Sequence, residues 1–185
     1  MSKPRMSRRD ARRHAFHLVF QLPFYLSFYQ QESVEILAES KARYYDFLSG
    51  ETVEAFEGLS RPVKRDAEYI DRAVWGVFDR RAEIDEVIET FLRDWTIDRI
   101  NKVDLALMRL SIYEMLCEPD VPLGAAVNEA VELAKEYGGD ESPSFINGVL
   151  GNVSRQLALR QSPTTDIDNF NARHEAGNSE AIVHE

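Results

Sequence analysis

Four arginines near the N-terminus have the type and spacing that point most directly to a chemical role. In the run Arg8-Arg9-Asp10-Ala11-Arg12-Arg13, a helix would place Arg8 one turn from Arg12, and Arg9 one turn from Arg13. Guanidinium groups bind phosphate through paired hydrogen bonds and also stack on bases. The run therefore predicts a ridge that contacts RNA. A solvated helix terminus, or a strip that binds an acidic protein, fits the same short pattern.

Phe145 is a second candidate, because Phe145-Ile-Asn-Gly148 opens the last predicted helix. An aromatic residue at a helix start can belong to the core or can form a platform for an RNA base. The helix N-terminus also attracts phosphate. From the residues alone, a place in the core is the better interpretation.

Other constellations give no sign of catalysis. His14 and His17 would share one helix face, but nothing near them completes a ligand set, so we expect structural histidines and no metal. The sequence has no glycine-rich phosphate loop, nucleophile elbow or cysteine–histidine pairing. We therefore expect no catalytic residues and no cofactor, and a protein that works by docking.

Polar residues inside two apolar stretches need a structural explanation. Arg109 and Glu114 interrupt one stretch, and Asn128 and Glu129 interrupt another. Polar groups between packed helices are costly unless they are paired. A buried or half-buried network that joins helices is the favoured interpretation, and a binding role for one or two of them is the alternative.

The elements that position these residues are predicted to be helices, and the fold class is all-α. Apolar spacing of three and four predicts a helix over about 7–22 that Ser7 or Asp10 caps, that Pro23 stops or kinks, and whose inward residues are Ala15, Leu18, Val19 and Leu22. The same spacing predicts a helix over 31–47, with Val34, Leu37 and Ala38 inward. Further helices begin near Pro62, after a Thr96 cap, after Pro122 and at Ser142-Pro143. The helix after Thr96 should have one inward stripe, made of Ile100, Val103, Leu107, Leu110, Tyr113 and Leu116 or Cys117. The helix after Pro122 should have an inward face made of Ala126, Val127, Ala130, Val131 and Ala134. Gly138 should end the helix before the last one.

Composition fits one compact domain with tails. The chain has 185 residues, of which 44% are hydrophobic and 29% charged, and its net charge is −10. Residues 1–13 nevertheless carry six basic side chains against Asp10 alone. We predict a flexible basic start (1–6), a helical RNA-binding domain (7–160) and a disordered acidic tail (161–185). The middle segment 31–60 suggests no function.

Cellular location is inferred from what the sequence lacks. Its one cysteine, Cys117, cannot form an internal disulfide and suits burial as a small apolar residue. No stretch is long and apolar enough to span a membrane, and no signal peptide is recognised. We expect a soluble cytoplasmic protein.

Several segments together resemble the NusB family of bacterial transcription antitermination factors. They are Ile100 to Glu114 (INKVDLALMRLSIYE), Val121-Pro122, Ala126 to Gly138 (AVNEAVELAKEYG) and Ser144 to Leu150 (SFINGVL). The arginine-rich start with Ala15 and Phe20 is also similar to the family. The order and spacing of these pieces match over roughly fifty residues.

The resemblance implies an all-α fold, a compact helical bundle of two packed helical subdomains. It implies binding of boxA-type nascent RNA jointly with a small-subunit ribosomal protein, NusE, within an RNA polymerase antitermination complex that supports ribosomal RNA transcription. It assigns RNA contacts to Arg8, Arg9, Arg12, Arg13, Glu141 and Phe145, and it assigns contacts with the ribosomal protein to Asp98 and Asp104. It leaves open whether the free protein forms a homodimer.

Two other functions remain open at this point. One is a helical scaffold that binds protein only, with the arginines contacting acidic surfaces. The other is the accessory domain of an RNA cytosine methyltransferase, which is disfavoured because no cofactor-binding pattern or second domain is present in the sequence.

Overall fold

The structure is a computed structural model that describes residues 7–29, 34–48, 64–92 and 95–161. Within these ranges the chain forms seven α-helices, one 3-10 turn and no strand, which confirms the all-α fold class. They are α1 (Arg8–Tyr29), α2 (Val34–Leu48), α3 (Lys64–Asp79), α4 (Arg81–Phe91), the 3-10 turn (Ile97–Arg99), α5 (Lys102–Cys117), α6 (Leu123–Tyr137) and α7 (Ser142–Gln161).

The chain divides into two compact units, residues 1–154 and residues 155–185. Of the second unit, the structure describes only the end of α7. Residues 1–6 and 162–185, for which the sequence predicts a flexible start and a disordered tail, lie outside the described residues. The same holds for 30–33 and 49–63 of the middle of the chain.

Helix α1 packs on α2, α3 and α5. Its predicted inward residues Ala15, Leu18 and Val19 are buried. The predicted end at Pro23 is wrong, because the helix continues to Tyr29. Proline removes one backbone hydrogen bond and costs about 3 kcal/mol inside a helix, so the packing of this long helix must outweigh that local cost.

Helix α5 is the centre of the fold, since it contacts α1, α3, α4 and α6. The sequence predicts one inward stripe along it, but all residues from Asp104 to Met115 except Arg109 are buried. Close packing against α3 depends on Gly76, because a Cβ at that position would overlap the Tyr113 ring. Cys117, predicted to be buried, is only half-buried at the end of the helix.

Two local predictions are corrected by the structure. The cap of α5 is Asn101, whose side chain accepts a hydrogen bond from the Val103 amide at 2.9 Å, and Thr96 makes no side-chain cap. In α2, Ala38 is exposed while Ser40 and Tyr44 are buried. The tyrosine hydroxyl lies 2.9 Å from His14 Nδ1, so a polar contact helps to decide which face of α2 turns inward.

The predicted polar network exists in α5. Arg109 pairs with Asp85 of α4 through two hydrogen bonds, both of 2.8 Å. Glu114 is buried and bonded to two other helices. In α6, Glu129 lies 3.9 Å from an arginine of α1, whereas Asn128 is exposed. The structural interpretation is therefore confirmed for three of the four residues.

Candidate nucleic-acid interface

The arginine run lies on the first turns of α1, and Ser7 fixes where that helix begins. Its hydroxyl oxygen accepts a hydrogen bond from the Asp10 amide at 3.0 Å, and its hydroxyl group donates to the Asp10 carboxylate at 2.6 Å. This arrangement satisfies a free amide at the helix start, and the carboxylate favours the positive end of the helix dipole. Of the two predicted caps, Ser7 is the one that the structure uses.

The four arginines face different surroundings. Arg8 and Arg9 are exposed, and the Arg9 side chain is 46% exposed. The side chain of Arg13 is 18% exposed and that of Arg12 only 8%. The run is therefore not a uniform ridge, because exposure falls steeply from Arg9 to its neighbours one turn later.

Arg12 points into the protein. Its Nε atom donates to both carboxylate oxygens of Glu114, at 2.8 and 3.1 Å. The Tyr69 hydroxyl donates to the same carboxylate at 2.7 Å. Burial raises the pKa of Glu114 and the nearby guanidinium opposes that rise, so this paired charge links α1, α3 and α5.

Three glutamates of α6 face the arginines of α1, and we call Glu129, Glu132 and Glu136 the acidic strip. Glu136 is hydrogen-bonded to Arg13 Nη2, and Arg13 Nε also donates to the Tyr137 hydroxyl at 3.1 Å. Glu132 lies 3.8 Å from Arg9, but its shorter bond goes to Lys135 on its own helix. The strip places carboxylates beside Arg9, Arg12 and Arg13, so an anion that approached these arginines would have to compete with it.

A groove lies where the starts of α5 and α7 face each other, and its volume is about 540 Å³. We call it the aromatic groove, since Trp95 and Phe145 both line it. Asp104 and Glu141 line it too, so three of the predicted contact residues share one site. Asp98 is exposed on the 3-10 turn, and Arg8 and Arg12 line a different pocket.

Asp104 is almost completely buried in this groove, at 6% exposure. Burial raises its pKa, and a hydrogen bond from Ser142 opposes the rise. Its Oδ1 atom has no hydrogen-bond partner among the described residues. Gly138 lets the chain turn tightly here, because a Cβ there would lie 2.6 Å from the Ser142 Cβ.

Trp95, which is 53% exposed, lines the groove but was not among the predicted site residues. The guanidinium carbon of Arg99 lies 5.4 Å from the centre of its ring, and the Phe145 ring centre is 6.4 Å away at an angle of 42°. A tryptophan followed by arginine four residues later, between two predicted helices, was the available signal. Tyr69 and Tyr137, which support the arginines, were missed too.

His14 and His17 are buried among aromatic rings instead of facing solvent. His17 lies with its ring centre 5.1 Å from that of Tyr137 and nearly perpendicular to it. Burial lowers the pKa of His17 to about 4, and the neighbouring His14 and Arg13 side chains act in the same direction. Within the described ranges, no helix has the length and apolar character needed to cross a membrane.

Comparison with known proteins identifies a family and individual proteins whose sequences are similar to this chain. The family model described as the NusB family matches residues 9–155. Transcription antitermination protein NusB of Acetivibrio thermocellus is 57% identical over 90 residues, covering 49% of this chain and 62% of the relative. The Clostridium tetani protein of the same name is 48% identical over 92 residues, covering 50% and 60%. The chain thus spans about three fifths of the length of these curated relatives.

Solved structures share the fold. NusB of T. maritima superposes with a TM-score of 0.63 and 29% identity, covering 82% of this chain and 93% of that one. A structure described as antitermination factors NusB and NusE in complex with dsRNA gives a TM-score of 0.60 at 23% identity, covering 80% and 96%. The second likeness concerns the fold alone.

Proposed function

The chain belongs to the NusB family, and we propose that it is a transcription antitermination factor that binds boxA-type RNA together with NusE. Its relatives carry the name of that activity. The observation that carries the proposal is the pair of exposed guanidinium groups, Arg8 and Arg9, held on a capped helix start.

The arginines have separate tasks in this mechanism. Arg8 and Arg9 attract RNA phosphates and set the register of the strand. Arg13 joins them when a phosphate replaces Glu136 as its partner. Arg12 stays paired with Glu114 and holds the helix start against the body, so that its contribution to RNA binding is positional.

In this proposal, one side of the aromatic groove contacts RNA bases and the other side contacts NusE. Phe145 and Glu141 lie at its α7 side, and in this proposal they contact RNA. Asp104 at its α5 side, with Asp98 on the neighbouring turn, is assigned to NusE. A strand that runs from the arginines to this groove would lie beside the ribosomal protein.

Further steps of the activity belong to the same proposal. The complex of RNA, NusE and this chain joins the RNA polymerase antitermination complex and supports ribosomal RNA transcription in the cytoplasm. The protein acts by assembly and not as an enzyme, and a homodimer of the free protein would compete with RNA for its surface.

Fluorescence anisotropy with a labelled boxA-like RNA, with and without NusE, tests the proposal. We expect NusE to tighten binding, and the double substitution Arg8→Gln and Arg9→Gln to weaken it at least tenfold. The double substitution Arg80→Gln and Arg155→Gln is the matched control, since both arginines are exposed. RNA affinity that survives loss of Arg8 and Arg9, or NusE binding by a chain that binds no RNA either alone or with NusE, would favour the protein scaffold instead.

A further inference from the structure

Trp95 carries a large aromatic ring that is 53% exposed. Of the large apolar side chains that the structure describes, only Trp95 and Leu159 are exposed. An exposed tryptophan leaves a large apolar surface in water, and aromatic groups of this kind are enriched where a protein contacts a partner. The ring therefore suggests a contact that the isolated chain does not make.

The two rings in the aromatic groove contact each other, so a base enters between them only if they separate. A base held between two rings needs two van der Waals separations of about 3.5 Å, or about 7 Å in total. The centres of Trp95 and Phe145 are 6.4 Å apart and the rings are tilted by 42°. Trp95 is 53% exposed, so its ring can turn away from Phe145 toward solvent and admit a base.

The polar lining of the aromatic groove consists largely of hydrogen-bond acceptors. Asp140 and Glu141 line its α7 side with exposed carboxylates, whereas Asp104 on the α5 side is the residue proposed to contact NusE. Carboxylates accept hydrogen bonds from exocyclic amino groups, as they do from N4 of cytosine. They also repel phosphate, which keeps the RNA backbone at the mouth of the groove.

We propose that the aromatic groove binds one unstacked nucleobase that carries an exocyclic amino group, stacked between Trp95 and Phe145. This inference rests on the proposed function and adds Trp95 and Arg99 to its RNA contacts. A guanidinium or ammonium group of a protein partner is a poorer occupant, because Arg99 of the same chain already lies over Trp95, 5.4 Å from the ring centre. Its charge is available to the phosphate next to the inserted base.

Tryptophan fluorescence gives a direct test in the full chain. The sequence has two tryptophans, so that Trp75→Phe leaves Trp95 as the only reporter. Short single-stranded oligocytidine and oligouridine are the probes, because they share a backbone and differ at one edge of the base. We expect oligocytidine to quench Trp95 and to bind about tenfold more tightly than oligouridine.

Substitutions of Trp95 then test whether its ring stacks on the base. In the native background, Trp95→Ala should weaken oligocytidine binding about tenfold, the range found when a stacked aromatic ring is removed, while Trp95→Phe should restore most of it. Equal affinity for the two oligonucleotides would overturn the amino-group selectivity. An unquenched Trp95 with unchanged affinity in Trp95→Ala would overturn the stacking site.

The outcomes also separate this inference from the proposed function. If RNA binding still depends on Arg8 and Arg9 but not on Trp95, the base site is wrong and the function stands. If RNA fails to bind the native chain at all, both are wrong. Loss of NusE binding in Trp95→Ala, with RNA affinity unchanged, would assign the groove to the protein partner and overturn the inference.

Discussion

The four arginines of one short run lie in different environments, which residue type alone does not predict. Arg12 lies three positions before Ala15 and seven before Val19, both of which are buried, so helical spacing turns it toward the core. This helical spacing could be used to predict from the sequence that Arg12 turns inward. Its partners could not be predicted, because Glu114 and Tyr69 are far away along the chain and only the packing of α1 on α3 and α5 brings them together.

The buried pair of Arg12 and Glu114 predicts a large effect on stability. Arg12→Ala leaves the Glu114 carboxylate buried without its counter-charge, so we expect a loss of about 3–5 kcal/mol in the free energy of unfolding. Urea denaturation measures it. Arg8→Ala, at an exposed position, is the control and should change stability by at most about 0.5 kcal/mol.

The paired charges can also be removed together. Arg12→Met combined with Glu114→Met leaves no buried charge, and we expect this double variant to be more stable than Arg12→Ala alone. If Arg12→Ala unfolded at the same urea concentration as the native chain, the pair would not be a structural link.

His17 predicts a dependence of stability on pH. Its pKa is lowered to about 4 in the folded protein from 6.5, so between these values the unfolded chain binds the proton and the folded chain does not. His17 therefore makes its full contribution to the free energy of unfolding above pH 6.5. About 3 kcal/mol of that contribution is lost as the pH falls toward 4.

The contribution of His17 is isolated by comparison with His17→Phe, which keeps a ring in the aromatic cluster. Denaturation of both proteins at intervals between pH 4 and pH 7 gives, for each protein, the slope of the unfolding free energy against pH. The native slope should exceed that of the variant across this window. Parallel slopes would mean that the folded protein protonates His17 as easily as the unfolded chain does.

At the level of whole helices, periodicity predicted most of the inward faces, and the errors have physical causes. In α6 the spacing of Ala126, Ala130 and Ala134 identified a buried face correctly. The end of α1 at Pro23 was wrong because a local penalty is smaller than the packing of a long helix. The acidic strip was not predicted, since no periodicity within α6 reveals which helix its polar face meets.

The acidic strip predicts a gain of RNA affinity on substitution. Because Glu136 occupies the guanidinium of Arg13, Glu136→Gln should free that group for phosphate and strengthen RNA binding by roughly threefold to tenfold. Glu132→Gln should have a smaller effect, since Glu132 bonds mainly to Lys135. Anisotropy titrations compare both with Glu89→Gln, an exposed acid of α4. Equal gains in all three would indicate only the change of net charge.

At the scale of the whole molecule, an acidic protein presents a small cationic surface. The net charge is −10, while Arg8 and Arg9 are exposed on one capped helix start. The body therefore repels RNA except in orientations that bring α1 toward the strand. The uneven charge could be predicted from the sequence, but the number of arginines available to phosphate could not, because that number depends on the pairing of Arg12 and Arg13.

This charge distribution predicts an unusual response to salt. Contacts of Arg8, Arg9 and Arg13 with phosphate give a slope of log Kobs against log salt of about −2, at roughly −0.7 per contact for single strands. Salt also screens the repulsion from the acidic body, since the Debye length is about 8 Å at 0.15 M. The two effects oppose each other, so the native slope should be shallower than −2 but still negative.

Replacement of Arg8 and Arg9 by glutamine removes two of the three attractive contacts and leaves the repulsion. We expect the slope of this variant to approach zero or become positive, while the control with Arg80→Gln and Arg155→Gln keeps the native slope. Titrations from 50 to about 300 mM salt measure all three proteins. A native slope equal to that of the Arg8 and Arg9 variant would show that these two arginines do not contact phosphate, because both proteins keep the acidic body and its screening by salt.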